Sequence, residues 1–115
     1  QELDNPRAWV FVAENSGHYA GHAVAWFVAD EVEIMSVTVV RRFQRQGVGR
    51  ALLAHLLKAK PWKTALLELR ESNFPARALY ESAGFRAVGK RKAYYRDGED
   101  AILMTRENSP SPRTQ

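Results

Sequence analysis

Cysteine is absent from this 115-residue chain. That excludes disulfides, thiolate metal sites and a cysteine nucleophile, and it fits a reducing, cytoplasmic setting. No apolar run approaches membrane-spanning length, so no membrane association is expected. No signal-peptide pattern is present, and no internal repeat is visible. The glycine-containing stretch at 47–49 lacks the third glycine of a dinucleotide fingerprint and the Gly-Lys-Ser/Thr of a Walker loop. Neither RNP-type aromatic strands nor a GXXG loop occurs, so direct nucleic-acid binding is not expected. What remains is ordinary for one globular domain: 45% hydrophobic and 26% charged residues. The formal charge is +4, with a pI near 9.7. Such a balance suits solubility or attraction to a polyanion. Arginines gathered beside the glycines favour an anionic cofactor.

Those arginines belong to the most informative stretch, Val37 to Arg50. Four β-favouring residues (Val37, Thr38, Val39, Val40) run into a basic turn, and Gly47 and Gly49 open an apolar-periodic helix. The first N–H groups of a helix have no internal partner, and the helix dipole is positive there. With glycines that allow close backbone approach, the stretch is a seat for phosphate or pyrophosphate. Arg41, Arg42, Arg45 and Arg50 surround it.

Taken in order, Gln1 to Arg7 is polar and loose. Ala8 to Ala13 reads as a strand, Glu14 to Gly17 as a turn, and His18 to Ala29 as a second strand. Gly21 marks a bulge or a close backbone approach. His18 and His22 lie about 13 Å apart along a strand, too far to share one ion, so no metal site is expected. Trp9 and Trp26 are read as core residues. Asp30-Glu31 turns into a strand over Glu33 to Val40. A helix follows from about Val48 to Ala59, with Leu52, Leu53, Leu56 and Leu57 as its buried stripe, His55 at its boundary and Pro61 beyond it. Thr64 to Arg70 is a strand that sets Glu68 among leucines. Ser72 or Asn73 caps a helix through Ser82, with Pro75 in the first turn and Gly84 as a left-handed stop. Phe85 to Tyr95 and Asp100 to Arg106 are expected to form a hairpin around Asp97-Gly98. One domain over 1–107 and a flexible tail over 108–115 complete the reading.

The string Gln44-Arg45-Gln46-Gly47-Val48-Gly49 resembles the Q/R-x-x-G-x-G/A motif of the GNAT superfamily of N-acetyltransferases. From Glu33 to Arg106, nearly two-thirds of the chain, the likeness narrows to RimI-type protein N-terminal alanine acetyltransferases. Leu67-Glu68-Leu69-Arg70-Glu71-Ser72-Asn73 is similar to L-E-V-R-x-S-N, and Ala78 to Phe85 to A-L-Y-E-x-x-G-F. Arg91-Lys92-Ala93-Tyr94-Tyr95 and Glu99-Asp100-Ala101-Ile102-Leu103-Met104 are similar to R-x-x-Y-Y and E-D-A-x-x-M. The resemblance implies an α/β (α+β) GNAT fold, a central mixed and mostly antiparallel sheet with flanking helices. It implies an acetyl-CoA-dependent enzyme acting on the N-terminal α-amine of a protein, an alanine-starting small-subunit ribosomal protein first among them. An acceptor that is a small-molecule or lysine amine is one alternative, and a non-catalytic acetyl-CoA-binding module is another.

By the same resemblance Arg45, Gln46, Gly47, Val48, Gly49 and Arg50 hold the pyrophosphate. Val37, Thr38 and Val39 flank the pantetheine arm, with a backbone N–H polarising the thioester carbonyl, and Asn73 bonds the arm. Glu68 between Leu67 and Leu69 is partly desolvated, a setting that turns carboxylates into useful bases. Its other reading is an ion pair with Arg70 or Arg91, and the resemblance tips it to the base. Tyr80 is the acid for the leaving sulfur, against the alternative of a core aromatic. Tyr94 and Tyr95 line the peptide cleft, with hairpin packing the competing role.

Two features depart from the family pattern. Val40-Arg41-Arg42 replaces an acidic-x-proline, which makes the cofactor mouth more basic. Family members carry a strand and helices ahead of the Ala8 strand, which this sequence is expected to lack. Trp9, Phe11, Trp26 and Val28 are then expected to be bare. Self-association through these front strands, or a longer native chain, is the expected consequence.

Overall fold

The computed structural model describes residues 8–108; the expectations for Gln1 to Arg7 and for most of the tail lie outside it. Asn108 is described and is fastened, its side chain donating to the Trp62 carbonyl at 3.1 Å and its N–H to that of Lys63 at 2.9 Å. The strands are β1 Ala8–Asn15, β2 His18–Val28, β3 Glu31–Val39, β4 Thr64–Arg70, β5 Arg86–Arg91 and β6 Ala101–Glu107, with helices α1 Val48–Lys58 and α2 Phe74–Ser82. They form one six-stranded sheet in the order β1-β2-β3-β4-β6-β5. Every neighbouring pair is antiparallel except β3 with β4, which α1 joins as a crossover. The mixed, mostly antiparallel sheet agrees with the expected fold class.

Local chemistry explains most boundaries. Ser16 and Gly17, both at positive φ, make a two-residue turn between β1 and β2. α2 starts where Asn73 accepts from the Ala76 N–H at 3.2 Å, so Asn73 rather than Ser72 is the cap. It stops at Gly84, φ +95, where the N–H groups of Gly84 and Phe85 bond the carbonyls of Glu81 and Tyr80, both at 3.0 Å.

One sheet face carries both helices. Ala23, Ala25 and Phe27 of β2, Val32 and Ile34 of β3, Leu67 and Leu69 of β4 and Met104 of β6 share a core with Leu52, Leu53 and Leu56 of α1 and Tyr80 of α2. Because side chains alternate along a strand, Val24, Trp26, Glu68 and their neighbours take the other face. That face is open, with Val10 61%, Val12 60% and Val28 48% exposed. Trp9 and Trp26, read as core, are each 38% exposed. Trp9 stands at the rim, edge-on to Phe27 at 5.3 Å with the Lys60 ammonium over its ring. No element covers Trp26 within the described residues. Phe11, expected bare, is instead half-buried against the core and lies 5.8 Å from the His55 ring. Leu57 is half-buried too, and Trp62 fills the space near it, its indole N–H bonding the Leu57 carbonyl at 2.8 Å.

The expected long hairpin is shorter. β5 ends at Arg91, and residues 92–100 form a loop. Its cause is local. Ala93 turns to φ +49 and its N–H is taken by the Asp100 carboxylate at 2.7 Å, which removes it from the ladder. A tight turn then closes from Tyr95 to Gly98, as anticipated at Asp97-Gly98.

The most consequential feature is where β3 and β4 part. Their pairing runs only from Glu31 with Thr64 to Ile34 with Leu67. Beyond it, β3 pairs with β2 alone and β4 with β6 alone. Met35 is the extra residue opposite the Val24–Ala25 step, a bulge that bends and twists β3 at the point of separation. Gly21 permits a close approach of β2 to the far half of β3, since any Cβ there would strike the Thr38 carbonyl oxygen. The sheet therefore opens into a gap at the C-terminal ends of its two parallel strands, where open α/β sheets characteristically bind ligands.

Candidate active site

The gap is bounded by the residues singled out above. On the β3 side, Val37 and Val39 are half-buried and Thr38 is exposed. A 3-10 turn, Arg41–Phe43, follows and was not foreseen. The Gln44 and Gln46 amides donate to the carbonyls of Val39 (3.1 Å) and Arg42 (3.0 Å), pinning the loop against its own strand. Arg45 and Gly47 both sit at positive φ, +62 and +86, which reverses the chain into α1.

Gly47 caps α1 without a side chain, and the first intrahelical bond is Ala51 N–H to the Gly47 carbonyl at 3.0 Å. The N–H groups of Val48, Gly49 and Arg50 therefore point out unused. No acidic residue lies in that first turn. Arg41, Arg45 and Arg50 are exposed and pair with no acidic group among the described residues. A Cβ at Gly47 would meet nothing within 4 Å, so the space before the helix is open. Gly49 differs: its missing Cβ faces Val39 and Leu79, both at 3.6 Å, so it lets α1, β3 and α2 meet. The structure thus joins the glycine loop to Val37 and Val39 and brings the start of α1 against α2.

On the β4 side, Glu68 is partly desolvated, its side chain 27% exposed, and its Oε2 accepts from Arg91 Nε at 2.9 Å. The ion pair that the residues also allowed is therefore formed, with Arg91 rather than Arg70. Arg91 in turn lies 5.7 Å from the Tyr94 ring centroid. Tyr94 is 52% exposed and Tyr95 half-buried, their rings edge-to-face at 5.1 Å on the 92–100 loop. Arg70 covers Tyr95 at 4.2 Å. Burial, then the nearby Glu68 charge, raises the Tyr95 phenol above its ordinary range.

Tyr80 lies on the helix side of the sheet, 6% exposed and edge-on to Phe85 at 5.7 Å. Glu68, between the core residues Leu67 and Leu69, faces the opposite side of the sheet. Burial pushes the Tyr80 phenol up to about 12. It therefore keeps its proton over the working range. The unfolded phenol titrates near 10, so the folded form holds the proton more tightly. This contribution to stability is intact below pH about 10 and is lost as pH rises toward about 12. Chemical denaturation across that window should show an alkaline decline of about 2–3 kcal/mol that Tyr80→Phe lacks. Equal declines in both proteins would place the phenol in water rather than the core.

Glu99 and Asp97, which carry no site role by sequence, tie the tyrosine loop to β4 through Arg70. Arg70 Nη1 contacts Asp97 Oδ2 at 2.9 Å and Glu99 Oε1 at 3.0 Å. The motif was visible, but its partners are 27 to 29 positions away. Among the described residues no cluster of three or more His, Asp or Glu is placed to hold a metal ion, and no helix is long and apolar enough to cross a membrane. His22 bonds the Tyr19 hydroxyl instead.

Comparison with known proteins bears on the same region. Residues 1–85 match the profile described as the acetyltransferase (GNAT) family. The [ribosomal protein bS18]-alanine N-acetyltransferase of Escherichia coli (strain K12) is 44% identical over 100 residues, covering 82% of this chain and 68% of that protein. A crystal structure of the ribosomal-protein-S18-alanine N-acetyltransferase from Escherichia coli superposes with a TM-score of 0.82 at 40% identity, over 95% of this chain and 74% of that one. A GNAT family acetyltransferase from Elizabethkingia anophelis with acetyl-CoA bound superposes at 0.76 and 27% identity, over 91% of this chain and 78% of that one. With that identity shared across most of its length, on a sheet that parts at the glycine loop, this chain belongs to the acetyltransferase (GNAT) family.

Proposed function

We propose that the protein transfers the acetyl group of acetyl-CoA to the N-terminal α-amine of a protein, an alanine-starting ribosomal protein first among candidates, in the cytoplasm. The observation that carries this reading is the parted sheet. Its gap has an uncompensated anion seat at the start of α1, a carboxylate on the open face and a buried phenol on the helix face. Acetyl-CoA fits that seat by chemistry. Val48, Gly49 and Arg50 offer free N–H groups, Gly47 leaves room before them, and Arg41, Arg45 and Arg50 add positive charge. When bound, it supplies the activated acetyl thioester.

The protein's residues then divide the work. Backbone N–H groups freed along Val37–Val39 would polarise the carbonyl, with Asn73, otherwise the cap of α2, bonding the arm. Glu68, on the open face, would take the proton of the attacking amine through a water. An α-amine, with a pKa near 8, needs far less help than a lysine amine near 10.4. As nitrogen bonds to the carbonyl carbon and the carbon–sulfur bond breaks, Tyr80 would donate a hydrogen bond to the departing sulfur. A phenol titrating at about 12 is a weaker acid than an ordinary thiol, so stabilisation by that bond matters more than full proton transfer. Tyr94 and Tyr95 would line the acceptor side.

A panel of peptides differing in their first residue, assayed with acetyl-CoA, tests this directly. Alanine-starting peptides should be acetylated at the α-amine in preference to others and to internal lysines. Preference for a lysine side chain or a small amine would replace the acceptor. Acetyl-CoA binding without turnover on any amine would replace the enzyme with a binding module.

A further inference from the structure

Loop 92–100 carries both tyrosines of the acceptor side, and its attachment is unusually concentrated. Glu99 uses both carboxylate oxygens, Oε1 toward Arg70 at 3.0 Å and Oε2 accepting from the Ser72 N–H at 2.6 Å. Asp100 caps the Ala93 N–H at 2.7 Å, while its carbonyl accepts from the Glu71 N–H at 3.1 Å. Lys90 bridges Glu71 (3.2 Å) and Asp100 (3.8 Å). The Arg70 guanidinium that Glu99 and Asp97 grip is the one lying on the Tyr95 ring. The Glu99 and Asp97 carboxylates and the Asp100 backbone carbonyl thus reach from the tyrosine loop to residues 70–72, immediately before Asn73 and α2.

We propose that Glu99 is a positioning residue that acts together with the Arg70 guanidinium. The pair holds the Tyr94–Tyr95 loop against the Glu71–Asn73 turn, and so sets the acceptor side of the cleft relative to its cofactor side. This rests on the acetyltransferase reading above. Exposed ion pairs add little to global stability. A loop with few apolar contacts, however, takes its position from such bonds, and losing one changes its local opening far more than the fold. Arg70 matters for its shape as well as its charge, because only a planar fork spans two carboxylates while covering a ring.

The test uses Glu99→Gln, which keeps an acceptor for the Ser72 N–H but loses the charge facing Arg70, and Arg70→Lys, which loses the fork. In both, KM for an alanine-starting peptide should rise about threefold to tenfold, the factor for one partly exposed charge-assisted bond. KM for acetyl-CoA should stay within about twofold and the melting temperature nearly unchanged. In a Tyr95→Ala background the same Glu99→Gln change should cost little more, since it acts through that ring. Amide exchange at residues 93–98 should accelerate in both variants, a readout independent of turnover. Unchanged exchange and unchanged peptide KM would overturn the proposal, as would equal rises in both KM values with a fall in melting temperature. Wild-type protein inactive on every amine would defeat the acetyltransferase reading instead, and exchange would still decide whether the Glu99–Arg70 pair holds the loop.

Discussion

Glu68→Gln is expected to lower turnover about a hundredfold or more, the usual contribution of a positioned general base. The shape of the side chain is kept and the proton acceptor is lost. Stability should hardly change, because the Glu68–Arg91 pair is partly open to water and such pairs contribute about 0–1 kcal/mol. The thermal shift produced by acetyl-CoA should survive, since the anion seat lies on the other side of the gap. Arg91→Gln is the informative companion. It breaks the same 2.9 Å contact but leaves the carboxylate in place. A base at Glu68 predicts a much smaller loss in Arg91→Gln than in Glu68→Gln. Equal losses would make the ion pair itself the functional unit, and wild-type turnover in Glu68→Gln would return the residue to a structural role.

Substitution at Gly47 should remove cofactor binding altogether. For the unmodified protein, acetyl-CoA at a hundredfold excess over Kd should stabilise the fold by about 2.7 kcal/mol. In a domain of this size that is a rise of roughly 10 °C in Tm or more. Gly47→Val should lose the shift for two reasons. Its φ of +86 is costly for a β-branched residue, and the new side chain would project into the open space before α1. Gly47→Asn separates the two, because asparagine tolerates the left-handed region but still fills the cradle. A full shift in Gly47→Asn would show that the phosphates sit elsewhere. Absence of any shift in the unmodified protein at millimolar acetyl-CoA would remove the anion seat from the account. Gly49→Ala should be far milder, since its methyl would make ordinary contacts with Val39 and Leu79.

Elements whose causes lie within a few residues are readable from the sequence alone. β4 spans Thr64 to Arg70 as expected, an apolar run carrying Glu68 among leucines between two breaks. Asn73, Pro75 and Gly84 mark α2 through groups that bond within their own turn. The backbone geometry at the start of α1 was legible for the same reason: glycine conformation and unused helix N–H groups are properties of one short stretch.

Other features depend on what lies opposite in space. Whether Trp9 and Trp26 are buried depends on what covers the sheet, and alternation along a strand says only that two faces exist. The Tyr94–Tyr95 segment carries good strand residues, yet Asp100 takes the Ala93 N–H and the ladder ends early. Glu68 had two arginines to choose from on its own sheet face, and it pairs with Arg91 while Arg70 is held by Asp97 and Glu99 of the loop. The gap itself was the least accessible. Met35 looks like any other strand residue until β2 pairs on one side and β4 ends its pairing on the other. Strand separation is a property of three segments at once, brought together across more than forty positions of chain by packing on a shared core.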